Sequence, residues 1–500
     1  MAPPNEHVYN SSYQAEENLE KPTFRDGDKA LDFLRTEAEV GEGEDIDEKR
    51  LVRKIDWMVV PLMFCCYLLQ YLDKSLLNYA AVMGIREDNN LTTEQYGTLS
   101  LLFYVAFLAF EFPHAYMMQR FPTAKYLGSC VVAWGTVVAC TSACNSYGSL
   151  VATRFLLGMF ESAISPSLIL ITSMWYRRDE QPKRVGFWYI GVGCASMIGA
   201  LLSYGFQFYH GDRFKSWQIL FLVVGLITVT VGIIVIILMP DNPMSAKKLS
   251  HAERVAAVER LRENQTGVEN KHLKPYQILQ AFKDPQTWLI AFITTAASVP
   301  NGAVGSFQSI IISGLGYSDK QTALMQIPGG VIAVVSVLLA TWSAAKFNAR
   351  AANIMIWSAI GGLLGGSLLA FLPSTSTAAL AGNYLTHVVG AFLPCSYSFA
   401  AANTAGHTKK VTMNAVVLMS FCLGNILGPL TFRDEDAPSY TPAKITIVAV
   451  DSVAILATVV LLLYYMWQNK RRDNANVEHK RDVEFADLTD VENKEFRYKY

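Results

Sequence analysis

Charge is scarce in this sequence, and its distribution says more than its amount. Asp, Glu, Lys and Arg make up 17% of 500 residues, against 51% hydrophobic, with a formal net charge of -1. The charges gather in Met1–Lys54, Asp241–Asp284 and Gln468–Tyr500, and long apolar runs lie between. A soluble domain would intersperse the two, so the segregation indicates a polytopic membrane protein. The basic residues sit beside the apolar runs, where they set topology, and no nucleic-acid partner is expected.

Other absences narrow the reading. The eight cysteines lie in or beside apolar runs, with no CxxC and no Cys/His cluster at ligand spacing. That excludes a disulfide framework and a cysteine metal site. HExxH, GxSxG and a P-loop are missing, so neither an enzyme nor a cofactor is expected. The first fifty residues have no apolar core, so no cleaved signal peptide is expected, and the first span acts as the insertion signal.

What is present is a series of about twelve apolar spans. They run over Trp57–Met83, Tyr96–Gln119, Lys125–Cys144, Leu150–Tyr176, Val185–Phe206 and Trp217–Met239. After a polar stretch they resume over Gln286–Ile311, Gln321–Ala345, Ala352–Leu372, Ala378–Ala400, Val411–Phe432 and Ile445–Trp467. The fold class expected is an all-α membrane protein of two six-helix bundles. The expected organisation is a disordered tail over 1–54, bundles over 55–240 and 285–467, a linker over 241–284 and a second tail over 468–500. Within the linker, LSHAERVAAVERLREN reads as an amphipathic surface helix with Ser250 as its N-cap. Lys and Arg concentrate in the even-numbered loops and beside both tails, which places linker and termini in the cytosol.

The first span carries Asp73 and Lys74 near its middle. A charge there costs about 2.5–3.5 kcal/mol on insertion scales, so it is kept for a partner or a polar cavity. The two could neutralise each other, but adjacent helical residues point about 100° apart. In the fourth span Arg154 and Glu161 are seven apart, two turns along one face, about 10 Å. Two cations and two anions in one half can hold an anionic substrate and a proton, or form a static network that fixes helix register. Glu111 reads as a structural or gating residue. The second half offers amides and hydroxyls instead, among them Asn301, Gln308, Gln326, Asn383, His387, Ser396, Tyr397, Asn403 and Asn425. A lone membrane histidine such as His387 is more often an interhelical hydrogen bond than a ligand. The glycines at 361, 362, 365 and 366 read as close helix packing, and Gly428-Pro429 as a kink.

Two groups of six spans with a polar central loop resemble the major facilitator superfamily. YLLQYLDKSLLNYA in span one, and RFLLGMFESAISP followed by WYRRDEQPKR in span four, are similar to signatures of its anion:cation symporter family. NTAGHTKK, GNILGP, FRDEDAP and QRFPTAKY resemble the fungal allantoate permease branch. The resemblance implies that Lys74 and Arg154 meet the anionic substrate and that Asp73 and Glu161 serve proton movement. Asn301, Gln308, Asn383, His387 and Tyr397 are the second-half candidates for substrate contact. Lys74 stands where many members carry Arg, and MMQRFPTAKY replaces the usual loop after span two. Span five, GVGCASMIGA, lacks the proline of drug antiporters, which argues against efflux. The expectation is a proton-coupled importer of a small organic anion at a fungal plasma membrane, multi-pass and monomeric. Allantoate or another ureido acid is favoured. A vitamin-type carboxylate (nicotinate, pantothenate, biotin), an exporter and a non-transporting nutrient sensor are the alternatives.

Overall fold

A computed structural model describes residues 46–177, 180–209, 211, 213–262, 274–347, 350–373, 376–437, 439–474 and 489–500. Most of the tail expected over 1–54 lies outside the described residues. Among the described residues the regular elements are helices, and twelve are long and apolar enough to cross a membrane. They are α1 Glu48–Ala81, α2 Thr93–Met118, α3 Thr123–Thr141, α4 Tyr147–Trp175, α5 Lys183–Phe206 and α6 Ser216–Leu238. The second set is α7 Pro285–Ser313, α8 Asp319–Ala344, α9 Arg350–Phe371, α10 Thr377–Asn403, α11 Thr408–Thr431 and α12 Thr441–Asp473. In hydrocarbon a chain must satisfy its own backbone hydrogen bonds, so apolar runs of this length become helices. Several overrun the hydropathy limits because capping extends them into polar sequence. Asp47 caps α1 by accepting from the Lys49 amide at 3.0 Å, ten residues before Trp57. Thr92 and Gln95 form a capping box at the start of α2.

Several spans are interrupted, and the interruptions matter for the site. α4 breaks at Ser162–Ala163, because Pro166 has no N–H to give the carbonyl four residues back. Pro328 breaks α8 after Leu324 in the same way and leaves Gln326 in the gap. α9 turns π-helical over Ala359–Gly366, the glycine cluster. α10 passes through a 3-10 turn at His387–Ala391. At Gly428-Pro429 the α-helical part of α11 ends, and the 3-10 turn Pro429–Thr431 completes the span.

The two bundles meet along α1 with α7, α2 with α11 and α5 with α8. The last pair is the closest. A Cβ on Gly193 would lie 2.7 Å from the Gly330 carbonyl, so only glycine allows this backbone approach. The hydrogen bonds between the bundles lie on the face opposite the linker. Tyr96 donates to the Ser306 carbonyl at 2.8 Å, and Asn78 bonds Gln326 and the Ser309 amide at 2.8 Å each. The Thr93 amide, at the start of α2, donates to Asp434 at 2.8 Å. This face is therefore the closed one.

The linker face is organised differently. The helix His251–Arg262 starts with the expected Ser250, in a reciprocal box with Glu253. It is pinned to the first bundle by Lys54–Glu253, and by Arg260, which is 3.4 Å from Glu48 and 2.6 Å from Glu180. A second linker helix, Pro275–Lys283, turns Tyr276, Leu279 and Phe282 outward. On the second bundle, residues 489–500 fold against the helix ends, where the sequence suggested a plain tail. Lys409 is fully buried there, 2.6 Å from Asp284 and 2.8 Å from Asp490. Gln286 donates to both carboxylates, at 2.7 and 2.9 Å, and Tyr498 donates to Asp490 at 2.9 Å.

Candidate functional site

α1, α2 and α4 converge midway through the first bundle, and the charges of α1 and α4 meet there. Consecutive residues of α1 point away from one another, so Asp73 and Lys74 serve different neighbours. Asp73 turns into the bundle and is fully buried. One of its oxygens accepts from the Trp134 indole of α3 and, at 3.0 Å, from the Thr228 hydroxyl of α6. Lys74 turns toward the bundle interface. Its ammonium lies 5.0 Å from the ring centroids of both Tyr71 and Tyr104. A cation over a ring face is attracted by the ring quadrupole, which replaces part of the lost hydration.

Arg154 is 3% exposed, with its guanidinium 5.7 Å from the Phe221 centroid and Nη2 lacking a hydrogen-bond partner. Glu161 is 0% exposed, and neither carboxylate oxygen has a hydrogen-bond partner. It is the last residue before the α4 break. The break frees its own carbonyl, which accepts from Gln70 of α1 at 3.3 Å. Glu161 acts electrostatically on Lys74 and Arg154, and Asp73 on Glu161 and Arg154. The four charges expected to gather therefore do so, but as a loose cluster. Asp73 is tied to neutral donors, and the acidic side chain of Glu161 is left open.

The second-half candidates divide. Tyr397 reaches the bundle interface, where it interacts electrostatically with Tyr67 and Tyr189 of the first bundle and with Glu111. Glu111 thus lies within electrostatic reach of the opposite bundle. Gln308 and His387 bond one another at 2.7 Å, the interhelical arrangement common for a membrane histidine. Asn301 donates to Asn425 at 2.7 Å. Asn383 is fully buried with both amide atoms unpartnered. Sequence reasoning did not single out Tyr71, Tyr104, Trp134 or Thr228. Tyr71 lies three residues before Lys74, a spacing that shares a helix face and was readable. The other three come from different helices and leave no local signal.

Two bundles of six helices, buried ionisable groups within the first, a cation at its edge and one closed face have the build of a membrane transporter. The chain belongs to the Major Facilitator Superfamily, whose sequence profile matches residues 63–429. It is 38% identical to an uncharacterized transporter of Schizosaccharomyces pombe, over 90% of this chain and 89% of that one. It is 35% identical to the allantoate permease of Saccharomyces cerevisiae, covering 93% and 89% of the two chains, which supports the branch that the motifs indicated. It is also 35% identical to the thiamine pathway transporter of the same yeast, over 95% and 94%. Among solved structures, a bacterial homolog to the human lysosomal transporter Spinster, inward-facing and unoccupied, aligns with a TM-score of 0.64 at 17% identity. The alignment covers 81% of this chain and 96% of that one, and supports the fold.

Proposed function

We propose that this transporter imports a small organic anion together with a proton, with ureido acids such as allantoate and related carboxylates as its substrate class. It works as a monomer in the plasma membrane, with its linker face and both termini in the cytosol. The observation that carries the reading is Glu161, a buried carboxyl with no hydrogen-bond partner, within electrostatic reach of Lys74 and Arg154. A carboxylate beside cations stays ionised, and one whose cations turn to another anion takes up a proton. An arriving substrate carboxylate that engages Lys74 and Arg154 thus loads Glu161 with a proton. Substrate and proton then cross together, and no bare charge moves through the low-dielectric core. Asp73 has neutral donors on one oxygen, so it holds Trp134 and Thr228 in place and tunes the cluster from behind. Tyr397 approaches from the second bundle. Asn301, Gln308, Asn383 and His387 form the polar lining that becomes available as the bundles rock.

The test is uphill uptake and counterflow exchange in parallel. Glu161→Gln, fixed in the neutral form, should exchange substrate but lose accumulation driven by a pH gradient. Accumulation that survives in Glu161→Gln moves the coupling role to Asp73.

A further inference from the structure

We propose that Lys74 receives its anion in a slot between the faces of Tyr71 and Tyr104, and that the slot selects flat, conjugated carboxylates over puckered ones of equal size. This rests on the anion-import reading and narrows its substrate class, from ureido acids with the carboxylate on a tetrahedral carbon to the related carboxylates that are planar.

The geometry begins with the ammonium, 5.0 Å from each centroid, so the two ring centres are no more than 10 Å apart. Two aromatic rings in contact have centroids about 4.5–7 Å apart. One ring between two others therefore needs about 9–14 Å, and this slot cannot exceed the low end of that range. It takes a single flat group at most, and a ring of tetrahedral carbons is too thick. The walls come from different helices, Tyr71 from the Lys74 helix and Tyr104 from α2. The Phe103 ring meets Tyr104 edge-on at 5.1 Å, which holds that wall upright. One turn further along α1, Tyr67 packs on Trp188 at 4.6 Å and on Tyr189 at 5.4 Å, so the aromatic lining continues toward the linker face.

The identity of the cation fits the same assignment. A guanidinium is itself flat and stacks on aromatic faces, so an arginine would fill the slot. An ammonium on a flexible stem leaves it. Once a carboxylate neutralises Lys74, the ammonium loses its attraction to the rings, and the flat body of the ligand takes over both faces. The aromatic surface is covered before and after binding.

The experiment uses two pairs of acids that differ mainly in flatness, benzoate against cyclohexanecarboxylate and orotate against dihydroorotate. Detergent-purified full-length protein is titrated with each, and thermal stabilisation is read. The flat member of each pair should act at about tenfold lower concentration, the size of effect expected for ring contacts on two sides. Tyr104→Leu and, separately, Tyr71→Leu should erase that preference. Tyr104→Phe should keep it, and Lys74→Arg should bind anions without it. Equal, Lys74-dependent stabilisation by both members of each pair overturns the slot and leaves the anion reading standing, as does a preference that persists in both leucine variants. Stabilisation by no carboxylate overturns both.

Discussion

Asp73 and Lys74 are neighbours in the chain with separate surroundings: the acid is bound by Trp134 and Thr228 inside the first bundle, and the base lies between Tyr71 and Tyr104 at its edge. A neutralising pair would tie the two together and leave nothing for a ligand. The observed division gives one residue to the architecture and the other to the interface.

For Asp73, the prediction separates hydrogen bonding from charge. Asp73→Asn keeps an acceptor for the indole and hydroxyl, whereas Asp73→Ala leaves the Trp134 indole buried and unmet, at about 1–3 kcal/mol, while the Thr228 hydroxyl keeps the Val224 carbonyl at 2.9 Å. Thermal unfolding of purified protein should show a clear drop for alanine and a small one for asparagine. Equal drops would mean that the charge itself is structural.

Lys74 should behave as an anion site. Lys74→Ala is expected to abolish uptake with normal surface expression, and Lys74→Arg to retain part of it. Loss of uptake to the same degree in both would indicate a packed structural residue.

The closed face depends on the bond between the Thr93 amide and Asp434, which links the bundles through the N-terminus of α2. Hydrogen bonding from the Thr93 side chain, with a smaller share from its amide, holds the Asp434 carboxyl below its ordinary 3.8. A depressed carboxylate keeps its contact above that lowered value and loses it only as pH falls through it. The closed face should therefore hold from neutral to mildly acidic external pH. Asp434→Ala should open it at every pH, read as faster thiol labelling of a cysteine placed at Ser306. An unchanged labelling rate would mean that Tyr96 and Asn78 suffice.

Lys409 should dominate the stability of the second bundle. Removing one member of a buried ion pair costs about 3–5 kcal/mol, because the remaining charge is stranded. Lys409→Met leaves Asp284 and Asp490 facing each other and should lower the unfolding midpoint sharply. Adding Asp490→Asn should restore part of it. No recovery in the double variant would show that packing, and not charge, fixes residues 489–500.

Much of this was legible beforehand. Hydropathy located all twelve spans, because a helix that must cross hydrocarbon can hardly be written any other way. The charges of α1 and α4 stood out for the same reason. Their geometry was less readable. Seven-residue spacing put Arg154 and Glu161 on one face, but their surroundings depend on three other helices and on the break that Pro166 imposes. The fold of residues 489–500 was hidden in a different way. Asp490 looks like any charge in a polar tail until Lys409, 81 positions away, shows why it is needed.

That separation sets a schedule. Asp284 precedes Lys409 and is available when α11 emerges from the ribosome, but the second carboxylate is not. At about 5–20 residues per second, Asp490 follows roughly 4–16 s later. Until then the second bundle is inserted but unfinished, with Tyr465 and Gln286 still waiting for the segment that covers them. A message cut short before codon 490 would yield a chain with every span in place and a bundle that never locks, visible to membrane quality control by its exposed lysine.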